Sequence, residues 1–456
     1  MPAKLPTDFI SLTHLGGECS VTGSCHLLTI THGPTMLIDC GLAMGEDALA
    51  PFSEWPVEPA DIDYLFLTHA HIDHIGRVPD LIDAGFSGEI LCTHPTKALL
   101  IPMLHDAMGF SNRSKEEIKR LEAAIDELSW GFEYQQSFRL NKGVRFKFGH
   151  AGHILGSCFI HFTIPGDPAP YRILFSGDLG CKGSPILCDP DPPDACDLLI
   201  MESTYGDRNH EARGDRIQRL EKALKRALAD GGKVFIPAFS LGRTQELIYE
   251  IDRILSSQKQ GEAAGQGSDL KNISVFVDSP LGLNVTHIYG SLSEFWDQES
   301  KRLLKEGDHP IDFATLFAVK SYRDHQKSLT VSGPAVIIAG SGMCTGGRII
   351  DHLESGLEDA KNDLFFVGYQ AKGTLGRDIL TYGSRKNGYV RINGEKVQVN
   401  ARLHELGGYS AHADQSELVR WVEEMPEKPG KITLVHGEKE ARTALQKVLE
   451  DRGYRL

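Results

Sequence analysis

Long apolar runs are missing from this sequence. No stretch approaches the roughly 18 to 20 consecutive apolar residues of a bilayer-spanning helix, which excludes an integral helical membrane protein. Residues 1–8 also lack the basic region and apolar stretch of a secretory signal, so a cytoplasmic protein is expected. Paired cysteines are absent too. The nine cysteines are scattered, odd in number and without a Cys-x-x-Cys, and neither a disulfide framework nor a zinc ribbon is expected. Positive charge is scarce, with 48 Lys and Arg against 62 Asp and Glu and a formal charge of −14. This excludes a protein that grips polyanions over its whole surface and leaves room for a local basic track.

What is present is an ordinary globular composition, 41% hydrophobic and 24% charged, in a chain of 456 residues that is long for one core. Two domains, or one domain carrying a large insertion, are expected. Short apolar, β-branched or aromatic runs alternate with amphipathic stretches, the pattern of a layered α/β protein. Residues 35–39 and 63–67 read as strands ending at polar residues; 173–176 and 198–201 read likewise and deliver Asp178 and Glu202. From about residue 208 Ile217, Leu220, Leu224 and Leu228 fall at helical spacing, Gly231-Gly232 stops the helix, and a strand follows at 234–236. A helix over 246–255 precedes a Gly, Ala and Gln-rich stretch, 260–268, that reads as a mobile surface loop. Further strands are expected at 273–277, 335–339 and 364–367. The end of the chain resumes the earlier pattern, with a strand over 431–435 ending at His436 and a helix over 438–451. Residues 1–207 and 396–456 are therefore expected to form one domain, with 208–395 inserted as a second α/β domain.

His69-Ala70-His71-Ile72-Asp73-His74 places four strong ligand types within six residues, directly after an apolar strand. In extended backbone His69 and His71 project to one side, while Asp73 and His74 can turn to a neighbouring position, so two adjacent metals can be served. Imidazole nitrogen and carboxylate oxygen are ligands that zinc favours, and catalytic zinc keeps one position open. Spacing alone leaves His150, His153 and His161 as competing further ligands.

This element resembles the signature of the metallo-β-lactamase superfamily, and other pieces follow in the family's order. Asp39 looks like its first motif, an aspartate that supports the metal loop by hydrogen bonding. His153, in Ala151-Gly152-His153, matches the third motif, and Asp178, in Ser176-Gly177-Asp178-Leu179-Gly180, the fourth. Glu202-Ser203-Thr204-Tyr205-Gly206, Ser410-Ala411-His412-Ala413-Asp414 and Val435-His436-Gly437-Glu438 resemble the three further motifs of the β-CASP nucleases. A histidine at the last of these is similar to the RNA-processing members, including the nuclease subunit of eukaryotic messenger-RNA 3′-end cleavage and its prokaryotic relatives.

The resemblance implies a four-layer αββα metallo-β-lactamase domain with an inserted α/β β-CASP domain. It implies two zinc ions per chain, one held by His69, His71 and His153, the other by Asp73, His74 and His436, with Asp178 bridging. Asp178 is thereby catalytic as well as a ligand, and His412, oriented by Glu202, is the implied general acid. Three basic turns are expected to bind substrate phosphates: one around Arg243, one containing Ser341, Gly342, Gly346 and Arg348, and one containing Gly376 and Arg377. The expected activity is hydrolysis of RNA phosphodiester bonds in RNA processing or decay, with endonucleolytic and 5′ exonucleolytic modes both open. A DNA-directed nuclease and a small-ester or thioester hydrolase are the alternatives. Single-stranded RNA and a second copy of the chain are the expected partners.

Overall fold

The computed structural model describes residues 9–43, 49–211, 213–260, 270 and 273–456. Residues 1–8 and all but the first residue of the Gly, Ala and Gln-rich stretch lie outside the described residues. No helix among them is long and apolar enough to cross a membrane.

The chain forms two compact units, one comprising 1–209 with 411–456, the other 210–410. In the first unit two six-stranded sheets lie face to face. One runs in sequence order through Ile10–Gly16, Cys25–Ile30, Thr35–Ile38, Tyr64–Phe66, Glu89–Thr93 and Ser129–Phe132, and its last four strands are parallel. The other orders Lys431–Val435, Leu198–Glu202, Tyr171–Phe175, Cys158–Ile164, Arg145–His150 and Ser137–Arg139, the first three parallel. Alternation sends Leu28, Met36, Ile38 and Phe66 from one sheet onto Phe146, Phe162, Phe175 and Ile200 from the other. Phe66 meets the rings of Phe146 and Phe162 edge-on at 5.0 and 4.9 Å.

The outward residues are buried as well, because helices cover both outer faces. Leu174, Leu199 and Met201 lie under Leu418, Val422, Leu445 and Leu449 of the helices Gln415–Glu423 and Lys439–Asp451. Helices His94–Gly109 and Lys115–Leu128 cover the first sheet. This is the expected αββα layering. Burial on both faces explains why strands such as Leu198–Glu202 read as continuous apolar runs.

The second unit holds six parallel strands, ordered Leu316–Ala318, Ser274–Asp278, Ala335–Ala339, Lys233–Pro237, Asp363–Phe366 and Arg402–Glu405, with a separate hairpin, Tyr389–Ile392 and Glu395–Gln398. Helix Arg216–Ala227 buries Leu220, Leu224 and Ala227, and the turn after it closes at Gly231, whose φ is +80°. Arg402–Glu405 completes the sheet by pairing with Asp363–Phe366. The chain therefore leaves this unit after Ser410, beyond residue 395 where the hydropathy pattern ends the insert.

Candidate active site

Six strands of the first unit end at one set of polar residues. Asp39 follows Thr35–Ile38, the His69 loop follows Tyr64–Phe66, His153 follows Arg145–His150, Asp178 follows Tyr171–Phe175, Glu202 ends Leu198–Glu202, and His436 follows Lys431–Val435. Carboxyl ends of parallel strands are where sheet geometry leaves side chains uncovered for chemistry. Asp39 and His436 turn out of their strands with φ of +59° and +49°, a conformation that only surrounding contacts sustain in residues bearing a Cβ.

The metal loop is pinned by backbone. Ser24 N–H donates to the carbonyl of Asp73 at 2.9 Å, and Cys40 N–H to that of His74 at 2.8 Å. Between these contacts the chain passes so close that a Cβ on Gly41 would stand 1.6 Å from the carbonyl oxygen of Asp73. Only glycine fits there.

The ligand atoms form two groups. His69 Nε2 and His153 Nε2 each lie 3.1 Å from His71 Nδ1 and 3.6 Å from Asp178 Oδ2. On the other side His74 Nε2 is 3.3 Å and His436 Nε2 3.5 Å from Asp178 Oδ1, and each is 3.9 Å from Asp73 Oδ2. Asp178 thus gives one oxygen to each group. These separations suit zinc, whose ligands at roughly 2.0 to 2.1 Å in a tetrahedron stand about 3.3 Å apart. His74 Nε2 and Asp178 Oδ1 are buried and make no hydrogen bond, so the protein alone leaves two polar atoms unsatisfied where a cation would satisfy both.

Electrostatics prepare the same chemistry. Burial holds His69, His71 and His153 below the usual imidazole range, His71 down to about 4 despite the opposing pull of Asp73, so their nitrogen lone pairs are available. Burial would raise Asp178, but the imidazoles of His436, His74 and His69 hold it well below the carboxylate range. Asp39 lies outside both groups. It takes His74 Nδ1 at 2.6 Å, the N–H of Thr68 at 2.8 Å and the Thr68 hydroxyl at 2.8 Å, fixing the ring that faces Asp178. Thr68, which also contacts His69 Nδ1 at 3.1 Å, escaped the sequence reading; a hydroxyl directly before His69 is its only signal.

His412 is the third partner of this centre. Its Nδ1 lies 3.2 Å from both oxygens of Glu202 and 3.9 Å from Asp178 Oδ2. Glu202 is anchored by the N–H of Leu179 at 2.6 Å. The segment of His412 is held by a bridge to Gly180, by Ala413 N–H on the Leu179 carbonyl at 2.7 Å, and by Asp414, which caps the helix Gln415–Glu423. Burial disfavours the imidazolium, yet Glu202 and Asp178 raise His412 to about 9. The rival histidines are elsewhere occupied. His150 pairs with Asp191 at 2.9 Å and stacks on Tyr134, and His161 Nε2 bonds the carbonyl of Ala195 at 3.2 Å.

In the second unit the three glycine-containing turns follow neighbouring parallel strands and meet. The ring of Phe239, next to the Arg243 turn, stands 2.9 Å from where a Cβ on Gly342 would be; Gln370 donates to the Gly342 carbonyl at 2.9 Å, and Gly376 N–H to that of Met343 at 3.3 Å. Gly346 has open space beside it, whereas a Cβ on Gly376 would collide with Gln370 Oε1. Ser341 accepts from Thr345 N–H at 2.9 Å, within its own turn. The cations of these turns have internal partners. Arg243 pairs with Glu246, Arg377 Nε donates to the Gln370 carbonyl at 2.8 Å, and Arg348 donates to Asp278 Oδ1 at 2.7 Å and to the Val319 carbonyl at 2.8 Å.

Asp278 also takes His325 Nδ1 at 2.6 Å and His352 Nε2 at 2.7 Å, while His325 Nε2 meets Asp351 at 2.8 Å. This buried knot has the residue types of a metal site but not the geometry. Its atoms are at hydrogen-bonding separation, and a guanidinium already sits on the carboxylate. None of the sequence motifs signalled it.

Known proteins resemble the chain along most of its length. Residues 21–238 match the metallo-beta-lactamase superfamily, 244–379 the Beta-Casp domain, and 396–456 the Zn-dependent metallo-hydrolase RNA specificity domain. Ribonuclease TTHA0252 of Thermus thermophilus is 35% identical over 438 residues, covering 96% of this chain and 95% of that protein. Transcription termination factor FttA of Methanocaldococcus jannaschii is 30% identical, with 94% of this chain and 67% of that protein covered. Cleavage and polyadenylation specificity factor 73 of Drosophila melanogaster is 31% identical, with 98% and 63% covered. The chain belongs to the metallo-beta-lactamase superfamily, in its zinc-dependent Beta-Casp branch of metallo-hydrolases.

Proposed function

We propose that this protein is a ribonuclease that hydrolyses phosphodiester bonds of single-stranded RNA with two zinc ions per chain. The observation that carries this reading is the divided carboxylate of Asp178, one oxygen toward His69 and His153, the other toward His74 and His436. His69, His71 and His153 would hold one ion and Asp73, His74 and His436 the other, with Asp178 shared. Such a pair supplies Lewis acidity toward a phosphoryl oxygen and lowers the pKa of water at the site.

The chain's own residues do the rest. His412 carries a proton at neutral pH, and with Nδ1 held by Glu202 the transfer to the leaving 3′ oxygen falls to Nε2. Glu202 fixes the ring and stabilises its cationic form. The converging turns at Arg243, Ser341, Gly342, Gly346, Arg348, Gly376 and Arg377 would position the backbone of the substrate. The names of the relatives support RNA over DNA as substrate. Action in the cytoplasm and pairing with a second copy belong to the same reading.

The test is single-turnover cleavage of end-labelled RNA beside a DNA oligonucleotide of equal length and a thioester. RNA cleavage that depends on zinc and on His412 is expected. Preference for DNA, or turnover of the thioester alone, would replace the ribonuclease reading.

A further inference from the structure

Residues 369–398 depart from the acidity of the rest of the chain. Lys372, Arg377, Arg385, Lys386, Arg391 and Lys396 stand there against Asp378 and Glu395, a surplus of four positive charges in a chain of net −14. Among the described residues none of the six is in an ion pair. The neighbouring Glu354 and Glu358 are turned to other partners, the Asn393 side chain and the Gln398 N–H, each at 3.1 Å.

Exposed tyrosines alternate with these cations. Tyr369, Tyr382 and Tyr389 are 55%, 44% and 45% exposed, and each has a cation over its ring: Arg377 at 5.5 Å, Arg385 at 4.8 Å and Lys396 at 4.2 Å. The hairpin presents Tyr389, Arg391 and Lys396 on one face. Val390, Ile392 and Val397 enter the core of the second unit, so Tyr389 and Arg391 point outward, with Gln398 and Lys396 opposite them. Arg391 therefore lies directly across from Lys396. Like charges at such a position repel, although Arg391 also donates to the Gly394 carbonyl at 3.0 Å and Lys396 sits over Tyr389. A polyanion on this face would turn the repulsion into binding.

We propose that this surface, centred on the outer face of the hairpin, docks single-stranded RNA. Tyr382 and Tyr389 stack unpaired bases, and Arg385, Lys386, Arg391 and Lys396 hold the intervening phosphates. Stacking requires splayed bases, which a duplex does not offer, and a bound acidic protein would make no use of the tyrosine faces. The inference rests on RNA being the substrate and extends it to an additional site of contact.

The test uses the full-length, zinc-loaded protein and two double variants, R391E/K396E and Y382A/Y389A, with RNAs of about 20 and about 4 nucleotides. Charge reversal is expected to raise KM for the longer RNA about tenfold, to leave kcat unchanged, and to reduce the slope of log KM against log salt by about 0.7 per lost phosphate contact. The tyrosine variant should raise the same KM without changing the slope. The short RNA should be cut by both variants as by wild type, which reports an intact fold, and R391K should restore the wild-type KM. An active wild type whose variants match it in KM and salt slope overturns the inference and leaves the ribonuclease reading standing. A wild type that neither binds nor cuts RNA overturns both. Competition by polyglutamate as strong as by RNA would replace the nucleic acid with an acidic protein.

Discussion

Glu202 meets His412 Nδ1 with both carboxylate oxygens, each at 3.2 Å, while one of those oxygens also takes the N–H of Leu179. The ring is thereby fixed at its Nδ1 edge, which leaves Nε2 unclaimed by Glu202. His412→Ala should lower the single-turnover rate of RNA cleavage by about 10² to 10⁴ while the protein keeps its zinc. Wild-type cutting by a zinc-loaded variant would assign the proton to another group.

The same pair sets a pH dependence in the metal-free protein. Burial works against the imidazolium, but Glu202 and Asp178 raise His412 to about 9, above the roughly 6.5 of an unfolded chain. A raised folded pKa contributes stability that is complete below about 6.5 and lost as pH rises through about 9. Urea unfolding of chelated wild type and His412→Ala should therefore differ most near pH 6 and converge near pH 10. A difference that grows with pH would contradict this sign.

Metal content separates ligands from their supports. Wild type should bind about two zinc ions per chain by elemental analysis, and Asp178→Ala should disturb both positions because its carboxylate faces both groups. Asp39→Ala should still fold and bind, with zinc affinity about 10- to 100-fold weaker, because it removes the 2.6 Å contact that orients His74 and the bonds from Thr68 beside it, but no ligand atom. Unchanged affinity would show that Thr68 and the backbone hold His74 unaided.

Asp278 is a structural hub of the second unit. Despite its burial, hydrogen bonds from His352, His325 and Arg348 hold its carboxyl well below the usual range. Asp278→Asn should cost about 3 kcal/mol in urea unfolding, because Arg348 loses the carboxylate it is paired with, and should leave zinc content unchanged. The carboxylate's contribution is present above its unfolded pKa of about 3.9 and is lost as pH falls through the lower folded value, so wild type and variant should converge only in acid. Loss of bound zinc in the variant would reveal a metal site there.

Most strands and helices were readable because burial on one or both faces writes its period into the chain, as at Leu198–Glu202 and at Leu220 and Leu224 in Arg216–Ala227. The strand Arg402–Glu405 was not assigned to the second unit, since hydropathy shows that a segment is covered but not by which sheet. His69, His71, Asp73 and His74 stood out as ligands because they are neighbours in sequence, and neighbours share geometry through local backbone alone. His153, His436 and His412 were chosen by resemblance, and Thr68, Gly41 and the Asp278 knot were not seen, since each acts on a partner distant in sequence or through a backbone approach that residue type does not encode.

By itself, then, the sequence determined the chemistry on offer: imidazoles and carboxylates at strand ends, with no apolar run of bilayer-spanning length and no Cys-x-x-Cys pair. The tertiary structure alone decided how these groups combine. Parallel strands of two packed sheets bring residues from both ends of the chain within 4 Å of Asp178, and that convergence, a product of strand order and packing, divides one carboxylate between two sets of ligands.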